Sequence, residues 1–396
     1  MSDISTTGAQ KPVYYAALNG WRGLLALAIV MYHTIWMSHP QATAFFDNLP
    51  LLIDVFFVFS GFLLFALYQD RLQTTGEVKD FLSRRLARLY PVHFVMLIVA
   101  FLYALARVLA QYLGYARLEP GEILPFQPGA TETWQSFLSN LSLTQAMGLH
   151  DHLSFNNPAW TVSVLFWSYV VFAGLMLWAR PKKTWHFGLI AVFTGLNYFV
   201  LSRLKPDMDF HYDLGFFRAL GGFFTGVLAA WSYQKLAPIL KHPGRARASV
   251  LELAALAALL SFEIYCTGKL QFFVAPILFV FVIIFAADAG YVSKILRARA
   301  IGYLGRISYS LYMVHFVIAL VFGIAARKVL PQVFGPDWND QYWGGDLWLL
   351  VYLLTVLIAA HLLHTHVEVP GRKAVLNFRF KQLSLPFFTS RKSGKT

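Results

Sequence analysis

The chain has 396 residues, 57% of them hydrophobic and 13% charged, with a mean hydropathy of +0.54. A soluble globular domain carries about 25% charged residues, so this composition excludes that class. Its net charge of +13 is of the sign that nucleic acid attracts. The single cysteine, Cys266, excludes an intramolecular disulfide.

Ten apolar runs follow one another along the chain, each near the roughly 20 residues that cross a bilayer. They predict an all-α, polytopic transmembrane bundle of about ten spans. Lys and Arg concentrate in alternate connecting segments, which predicts cytoplasmic N- and C-termini and explains the positive charge without a nucleic-acid partner. We expect a membrane domain over 1–372 and a basic cytoplasmic tail over 373–396 that faces solvent or lipid headgroups. The runs cover about 17–37, 51–69, 88–113, 160–179, 185–202, 215–233, 250–265, 272–288, 307–326 and 347–366.

The first run contains two ionisable residues, Arg22 and His33. Eleven residues of α-helix make about three turns and rise about 16 Å, so both side chains share one stripe at two depths. Ionisable groups in spans usually face a protein interior or a wet cavity and indicate function. Arginine suits a phosphate or carboxylate, and histidine accepts a proton near neutral pH. The structural alternative is that Arg22 snorkels to headgroups and His33 is a satisfied polar residue.

The second run adds Asp54, which has many apolar neighbours in the sequence and therefore needs a partner. We expect it at a depth similar to His33, where it would orient the imidazole, or alternatively cap its own helix. Arg85 and Arg88 follow in the next connecting segment, three residues apart and so on one helix face. With Arg84 they form a candidate phosphate site at the cytoplasmic mouth, or a basic cluster that only sets topology.

Five segments then identify a family. Residues 18–33 resemble the opening of the acyltransferase-3 family of membrane O-acyltransferases, which has Arg or Lys, ten residues and then His. Four more segments resemble family motifs in the family's order, and the resemblance covers about residues 16–374. They are 54–64 (Asp-Val-Phe-Phe-Val-Phe-Ser-Gly-Phe-Leu-Leu), 85–91 (Arg-Leu-Ala-Arg-Leu-Tyr-Pro), 306–315 (Arg-Ile-Ser-Tyr-Ser-Leu-Tyr-Met-Val-His) and 368–372 (Glu-Val-Pro-Gly-Arg).

The resemblance implies transfer of an acyl group, usually acetyl, from cytoplasmic acyl-CoA to a hydroxyl of a cell-surface, exported or lipid-linked carbohydrate. It implies a bacterial inner-membrane protein in contact with lipids, with acetyl-CoA as donor and with no metal or permanently bound cofactor. His33 would be the catalytic base and Asp54 would steady its imidazolium, while Arg22, Arg85 and Arg88 would hold the donor. The implied substrate-binding residues are Trp160, Ser308, Tyr309, Tyr312, His315 and Glu368.

One segment departs from the family. Residues 157–167 resemble a motif that ends in Glu, but this chain has Leu165 and Phe166 at that point, so Glu263 is a candidate replacement. The resemblance also leads us to expect that this chain acts without the extracellular esterase-like domain of larger members. Four alternatives stay open: succinyl transfer with Arg218 as a spare interior cation, a covalent acyl-histidine intermediate, a non-catalytic homologue, and a transporter or flippase for a glycolipid or organic acid.

Overall fold

The structure is a computed structural model that describes residues 14–47, 49–115, 122–240 and 244–383. Over those residues the chain forms fifteen α-helices, and no strand occurs. Short 3₁₀ segments join several of them, and a π-helical segment, His364–Glu368, joins the last two. The helices are α1 (Ala16–Tyr32), α2 (Ala44–Asp47), α3 (Ile53–Tyr68), α4 (Thr75–Tyr112), α5 (Trp134–Leu141), α6 (Trp160–Trp178), α7 (Thr184–Leu204), α8 (Gly215–Leu240), α9 (Arg245–Tyr265), α10 (Val274–Ala287), α11 (Tyr291–Leu296), α12 (Arg299–Lys328), α13 (Leu330–Phe334), α14 (Tyr342–Leu363) and α15 (Val369–Leu383).

The predicted all-α bundle is confirmed. Within the described residues, eight helical segments are long and apolar enough to cross a membrane. Each of the ten predicted runs lies on a helix, although α1 has only 17 residues and α8 is not among the eight. The number of spans and the side of each terminus stay predictions. Of the predicted tail, 373–383 continues α15, and 384–396 lies outside the described residues.

Helix α3 packs against α8 through glycines. A Cβ atom on Gly61 would lie 1.8 Å from the carbonyl oxygen of Phe223, and one on Gly226 would lie 2.0 Å from that of Val58. A side chain at either position would therefore force the two helix backbones apart. Small residues allow this close backbone approach between membrane helices, where van der Waals packing replaces the hydrophobic effect.

Helix α1 packs along α12 in the same way, although the two are far apart in sequence. A Cβ atom on Gly23 would lie 2.6 Å from the backbone nitrogen of Gly305, and one on Gly305 would lie 2.1 Å from the carbonyl oxygen of Asn19. The Asn19 side-chain amide also donates a hydrogen bond to the carbonyl of Gly302, at 3.1 Å. The contact therefore fixes the register of these two parallel helices.

That register brings two histidines to one height. His33 and His315 each lie ten residues beyond the glycines that touch, Gly23 and Gly305, a rise of about 15 Å on each helix. The hydroxyl of Tyr352, on α14, lies 3.3 Å from the carbonyl oxygens of both Val30 and His315. Tyr352 is fully buried, so it ties α1, α12 and α14 together beside the histidines.

Candidate functional site

A cavity of about 270 Å³ lies between α1, α3, α4, α6 and α12. It contains the three arginines that the sequence predicts as a donor site, Arg22, Arg85 and Arg88, although they come from two helices. Helix α4 begins with a capping box, in which the Thr74 hydroxyl accepts from the Glu77 backbone and the Glu77 carboxylate accepts from the Thr74 backbone. The helix therefore starts well before the predicted apolar run and carries both of its arginines on a regular turn.

The cavity arginines have no carboxylate partner in the part of the chain that the structure describes. Within the described residues, no Asp or Glu forms an ion pair with Arg22, Arg85 or Arg88. Arg85 donates a hydrogen bond to the Tyr68 hydroxyl at 3.1 Å, and its guanidinium lies 5.5 Å from the centres of two aromatic rings. Arg84, in contrast, is exposed and contacts Asp80 at 3.8 Å, so it does not join the other three.

Three predicted substrate-binding residues, Ser308, Tyr309 and Tyr312, line the same cavity from α12. Each hydroxyl donates to a backbone carbonyl: Ser308 within its own helix, Tyr309 to Leu89 at 2.6 Å and Tyr312 to Pro158 at 3.0 Å. The two tyrosines therefore fix α12 to α4 and to the 3₁₀ turn before α6. Their hydroxyl oxygens remain able to accept a hydrogen bond.

The rest of the wall is mainly apolar, with phenylalanine, leucine and isoleucine side chains from α3 and α6. Leu165, where the family motif has Glu, is part of this wall. Glu263 is fully buried on α9, is not among the cavity residues, and interacts electrostatically with Asp54 and Arg218. The structure therefore gives Glu263 no place in the cavity.

His33 directly follows α1, at the end opposite Arg22, and its ring centre lies 4.8 Å from that of His315. Its Nδ1–H donates to the carbonyl of Ile29 at 2.9 Å, which leaves Nε2 with a free lone pair. His315 is fully buried, and its Nδ1–H donates to the carbonyl of Tyr312. Its Nε2 has no hydrogen-bond partner among the described residues. Both rings can therefore accept a proton at Nε2.

Asp54 is joined to Arg218 instead of to His33. Both residues are almost completely buried, and Arg218 donates to the carboxylate from Nη2 at 2.7 Å and from Nε at 3.1 and 3.2 Å. The same guanidinium donates to the carbonyls of Pro50, Met208 and Phe210, at 3.1, 2.7 and 3.4 Å. All three nitrogens of the Arg218 guanidinium thus donate to Asp54 or to these carbonyls. Arg218 is not the spare cation that the sequence suggested.

Trp160 packs against this ion pair. Its ring is buried, with the Arg218 guanidinium 5.9 Å from its centre and the imidazole of His211 5.0 Å away, edge-on. His211 lies in the loop before α8, where burial, followed by the charge of Arg218, lowers its pKa to about 4. Trp160 therefore supports the Asp54 pair, and the structure gives it no place on the cavity wall.

Glu368 ends the π-helical segment, and π-bulges often mark functional sites. One of its carboxylate oxygens accepts hydrogen bonds from Ser310 at 2.8 Å and from Nδ1–H of His364 at 2.9 Å. It is 8% exposed and is not part of the cavity wall, but it interacts electrostatically with Arg22. Glu368 thus lies outside the cavity wall but close enough to Arg22 to interact with it.

Sequence reasoning missed one pairing and one residue of this region. The pairing of Arg218 with Asp54 has no local signal, because 164 residues separate them. Tyr352 looks like an ordinary aromatic residue in an apolar run. Over the described residues, no group of three or more His, Cys, Asp or Glu side chains is arranged to hold a metal ion.

The profile of a known family, described as an acyltransferase domain, matches residues 15–365. The chain belongs to this family. It is 23% identical over 390 residues to the peptidoglycan O-acetyltransferase OatA of Listeria monocytogenes, covering 91% of this chain and 56% of that protein. It is 26% identical over 400 residues to a Staphylococcus aureus protein named "Putative O-acetyltransferase", covering 94% of this chain and 60% of that protein.

The chain therefore spans less than two thirds of the length of these relatives. No solved structure gives a significant match. Family membership confirms the resemblance drawn from the five motifs and agrees with the apolar helices of an integral membrane protein.

Proposed function

We propose that the chain is a membrane O-acetyltransferase that takes acetyl from acetyl-CoA and transfers it to a hydroxyl of an envelope or exported carbohydrate. The observation that carries the proposal is the cavity that Arg22, Arg85 and Arg88 share at the opposite end of α1 from His33, where none of the three forms an ion pair with a carboxylate of the described residues. Positive groups that are brought together in this way favour an anionic ligand. Coenzyme A supplies a pyrophosphate and a 3′-phosphate.

The arginine end of the cavity would face the cytoplasm, where acyl-CoA is made. The alternating distribution of Lys and Arg supports this orientation, with the protein in a bacterial cytoplasmic membrane. The acceptor would then reach His33 from the other side. That acceptor is proposed to be a carbohydrate because the similar Listeria protein is named for peptidoglycan O-acetylation.

In the proposed reaction, Nε2 of His33 accepts the proton of the acceptor hydroxyl. The hydroxyl oxygen forms a bond to the thioester carbonyl carbon, the C–S bond breaks, and the thiolate of coenzyme A leaves. The hydrogen bond from Nδ1 of His33 to Ile29 supports this role, because it fixes the tautomer whose Nε2 is basic. Acetyl is favoured over succinyl because Arg218, the cation considered for a diacid, is bound by Asp54.

Replacing the base gives the direct test. His33→Ala in the full chain should abolish transfer of radiolabelled acetyl from acetyl-CoA to envelope glycan in membrane vesicles. The purified variant should still bind coenzyme A, because the arginines lie about three helical turns away. Wild-type turnover in this variant would contradict the assignment of the base. Failure of the wild-type protein to bind coenzyme A would instead favour the transporter, which has no need of that ligand.

A further inference from the structure

We infer that His315 is a proton-transfer residue that receives the proton from His33 and passes it toward the thiolate of the donor; the inference rests on the proposed function. The observation behind it is a buried imidazole with an unused nitrogen. His315 has no exposed surface, and its Nε2 has no hydrogen-bond partner among the described residues. A buried polar atom without a partner is costly, so its retention requires a reason.

The position of His315 supplies that reason. Its ring centre lies 4.8 Å from that of His33, which is partly exposed. It also lies 5.6 Å from the ring centre of Tyr312, which lines the arginine cavity. His315 therefore contacts both the proposed base and a residue of the cavity in which the donor would bind.

The hydrogen bonds of both rings fit this direction of transfer. The Nδ1–H groups of His33 and His315 are held by the carbonyls of Ile29 and Tyr312, so only the Nε2 atoms exchange protons. Tyr352 lies within hydrogen-bond distance of the backbone of both helices and holds the rings at one height. Two adjacent imidazoles resist carrying two positive charges. The pair therefore holds only one proton at a time on its two Nε2 atoms, in addition to the two Nδ1 protons.

The step is balanced. The acceptor hydroxyl loses its proton to Nε2 of His33 as its oxygen bonds to the carbonyl carbon. Nε2 of His33 passes that proton to Nε2 of His315, and the departing thiolate takes it. Both rings end neutral, the thiolate becomes a thiol, and no outside acid or oxidant is required. The pair thus serves an acceptor that arrives from one side of the membrane and a donor that arrives from the other, at the point where the two meet.

The test compares two buried histidines. In His93, Nε2–H donates to the carbonyl of Asn140 at 2.8 Å, and Nδ1 has no partner among the described residues. His93 is not part of the cavity wall. His315→Asn keeps a donor near the position of Nδ1 and removes Nε2. His93→Gln keeps a donor near Nε2 and removes Nδ1. Each variant therefore deletes only the unused nitrogen.

Acetyl transfer is measured in membrane vesicles with radiolabelled acetyl-CoA, and coenzyme A binding is measured on purified protein. We expect kcat for His315→Asn to fall about 100-fold or more, with KM for acetyl-CoA and coenzyme A binding unchanged. His93→Gln should keep kcat within about threefold, the level of an uninvolved site. Equal kcat losses in the two variants, or no loss in His315→Asn, would overturn the inference.

The pH dependence separates proton transfer from a packing role. Hydroxide reaches the partly exposed His33 directly, and a thiolate needs no proton above the ordinary thiol pKa of about 8.5. The kcat deficit of His315→Asn should therefore shrink at least tenfold between about pH 7 and about pH 9.5. A deficit that stays constant with pH would overturn the inference.

Three further outcomes complete the test. His315→Gln places an amide near Nε2 that cannot take up and release a proton, so it should show the same pH-dependent deficit. Loss of coenzyme A binding in both His315 variants would mean that the ring is structural and would overturn the inference. A wild-type protein that neither binds coenzyme A nor transfers acetyl would instead refute the proposed function itself.

Discussion

Arg218 and Arg22 lie in one bundle and differ in what their guanidinium groups contact. Arg218 is almost completely buried, with its donors directed at the Asp54 carboxylate and at three backbone carbonyls. Arg22 is partly exposed to a cavity, together with Arg85 and Arg88, and the described residues give these three no carboxylate partner. All four guanidinium groups are at least partly withdrawn from solvent, which carries a desolvation cost.

The difference indicates which charges hold the fold and which await a ligand. A buried guanidinium that is fully satisfied within the protein offers no donor to a substrate, and removing it strands its partner. A guanidinium that lines a cavity keeps its donors for whatever enters. On this basis we propose that the region around Arg218 is structural and the region around Arg22 is functional, and four substitutions or conditions test that division.

The largest effect is expected at the ion pair. Arg218→Met leaves the buried Asp54 carboxylate without its counter-charge and should lower the free energy of unfolding by about 3–5 kcal/mol. Denaturation of the purified protein in detergent measures it, with Arg88→Met as the matched control that should unfold like wild type. Adding Asp54→Leu to Arg218→Met should recover part of the loss. Equal stability of the Arg218 and Arg88 variants would contradict the division into a structural and a functional arginine.

Acid should weaken the same region through His211. Between pH 6.5 and about 4 the unfolded chain binds a proton that the folded His211 does not, so stability is full above pH 6.5 and falls as the pH drops through this window. The loss should approach, at most, about 3 kcal/mol. Comparing unfolding of wild type and His211→Gln across that window measures it. His211 is also paired with Asp209 at 2.9 Å; a loss that persists in the variant would trace to other groups.

In the cavity, Arg88→Met should weaken coenzyme A binding at least tenfold, because a hydrogen bond to a charged group contributes about 1.5–3 kcal/mol. Calorimetric titration with coenzyme A measures the change. Arg84→Met on the same helix is the control, since that side chain is exposed and contacts Asp80. Titration with dephospho-coenzyme A then shows whether the 3′-phosphate is the group that Arg88 contacts. Equal affinities of the two variants would count against the site.

The smallest effect is expected from helix packing behind the ion pair. Gly226→Ala forces the backbones of α3 and α8 apart and should cost about 1–3 kcal/mol of stability. The control is Gly188→Ala on α7, where nothing lies within 4 Å of the added methyl group, so stability should hold or rise slightly. If the two variants unfold alike, the close approach contributes little to the fold.

The positions of the helices and of the cavity arginines can be predicted from the sequence, because both depend on local signals. Apolar runs locate the helices, and the motifs around Arg22, Arg85 and Arg88 predict residues that indeed share a cavity. The partner of Asp54 could not be predicted, because burial of two charges depends on which helices meet. The contact between His33 and His315 did leave a trace, namely a glycine ten residues before each histidine.

The contact between α1 and α12 also has a consequence for biosynthesis. Asn19 and Gly302 are 283 residues apart, so the first helix enters the membrane long before its principal neighbour has been translated. At about 5–20 residues per second the delay is roughly 15–60 s. Throughout that time Arg22 lacks the residues of α12 that line its cavity. The proposed donor site and the histidine pair are completed only when the C-terminal third arrives, so a truncated nascent chain has neither.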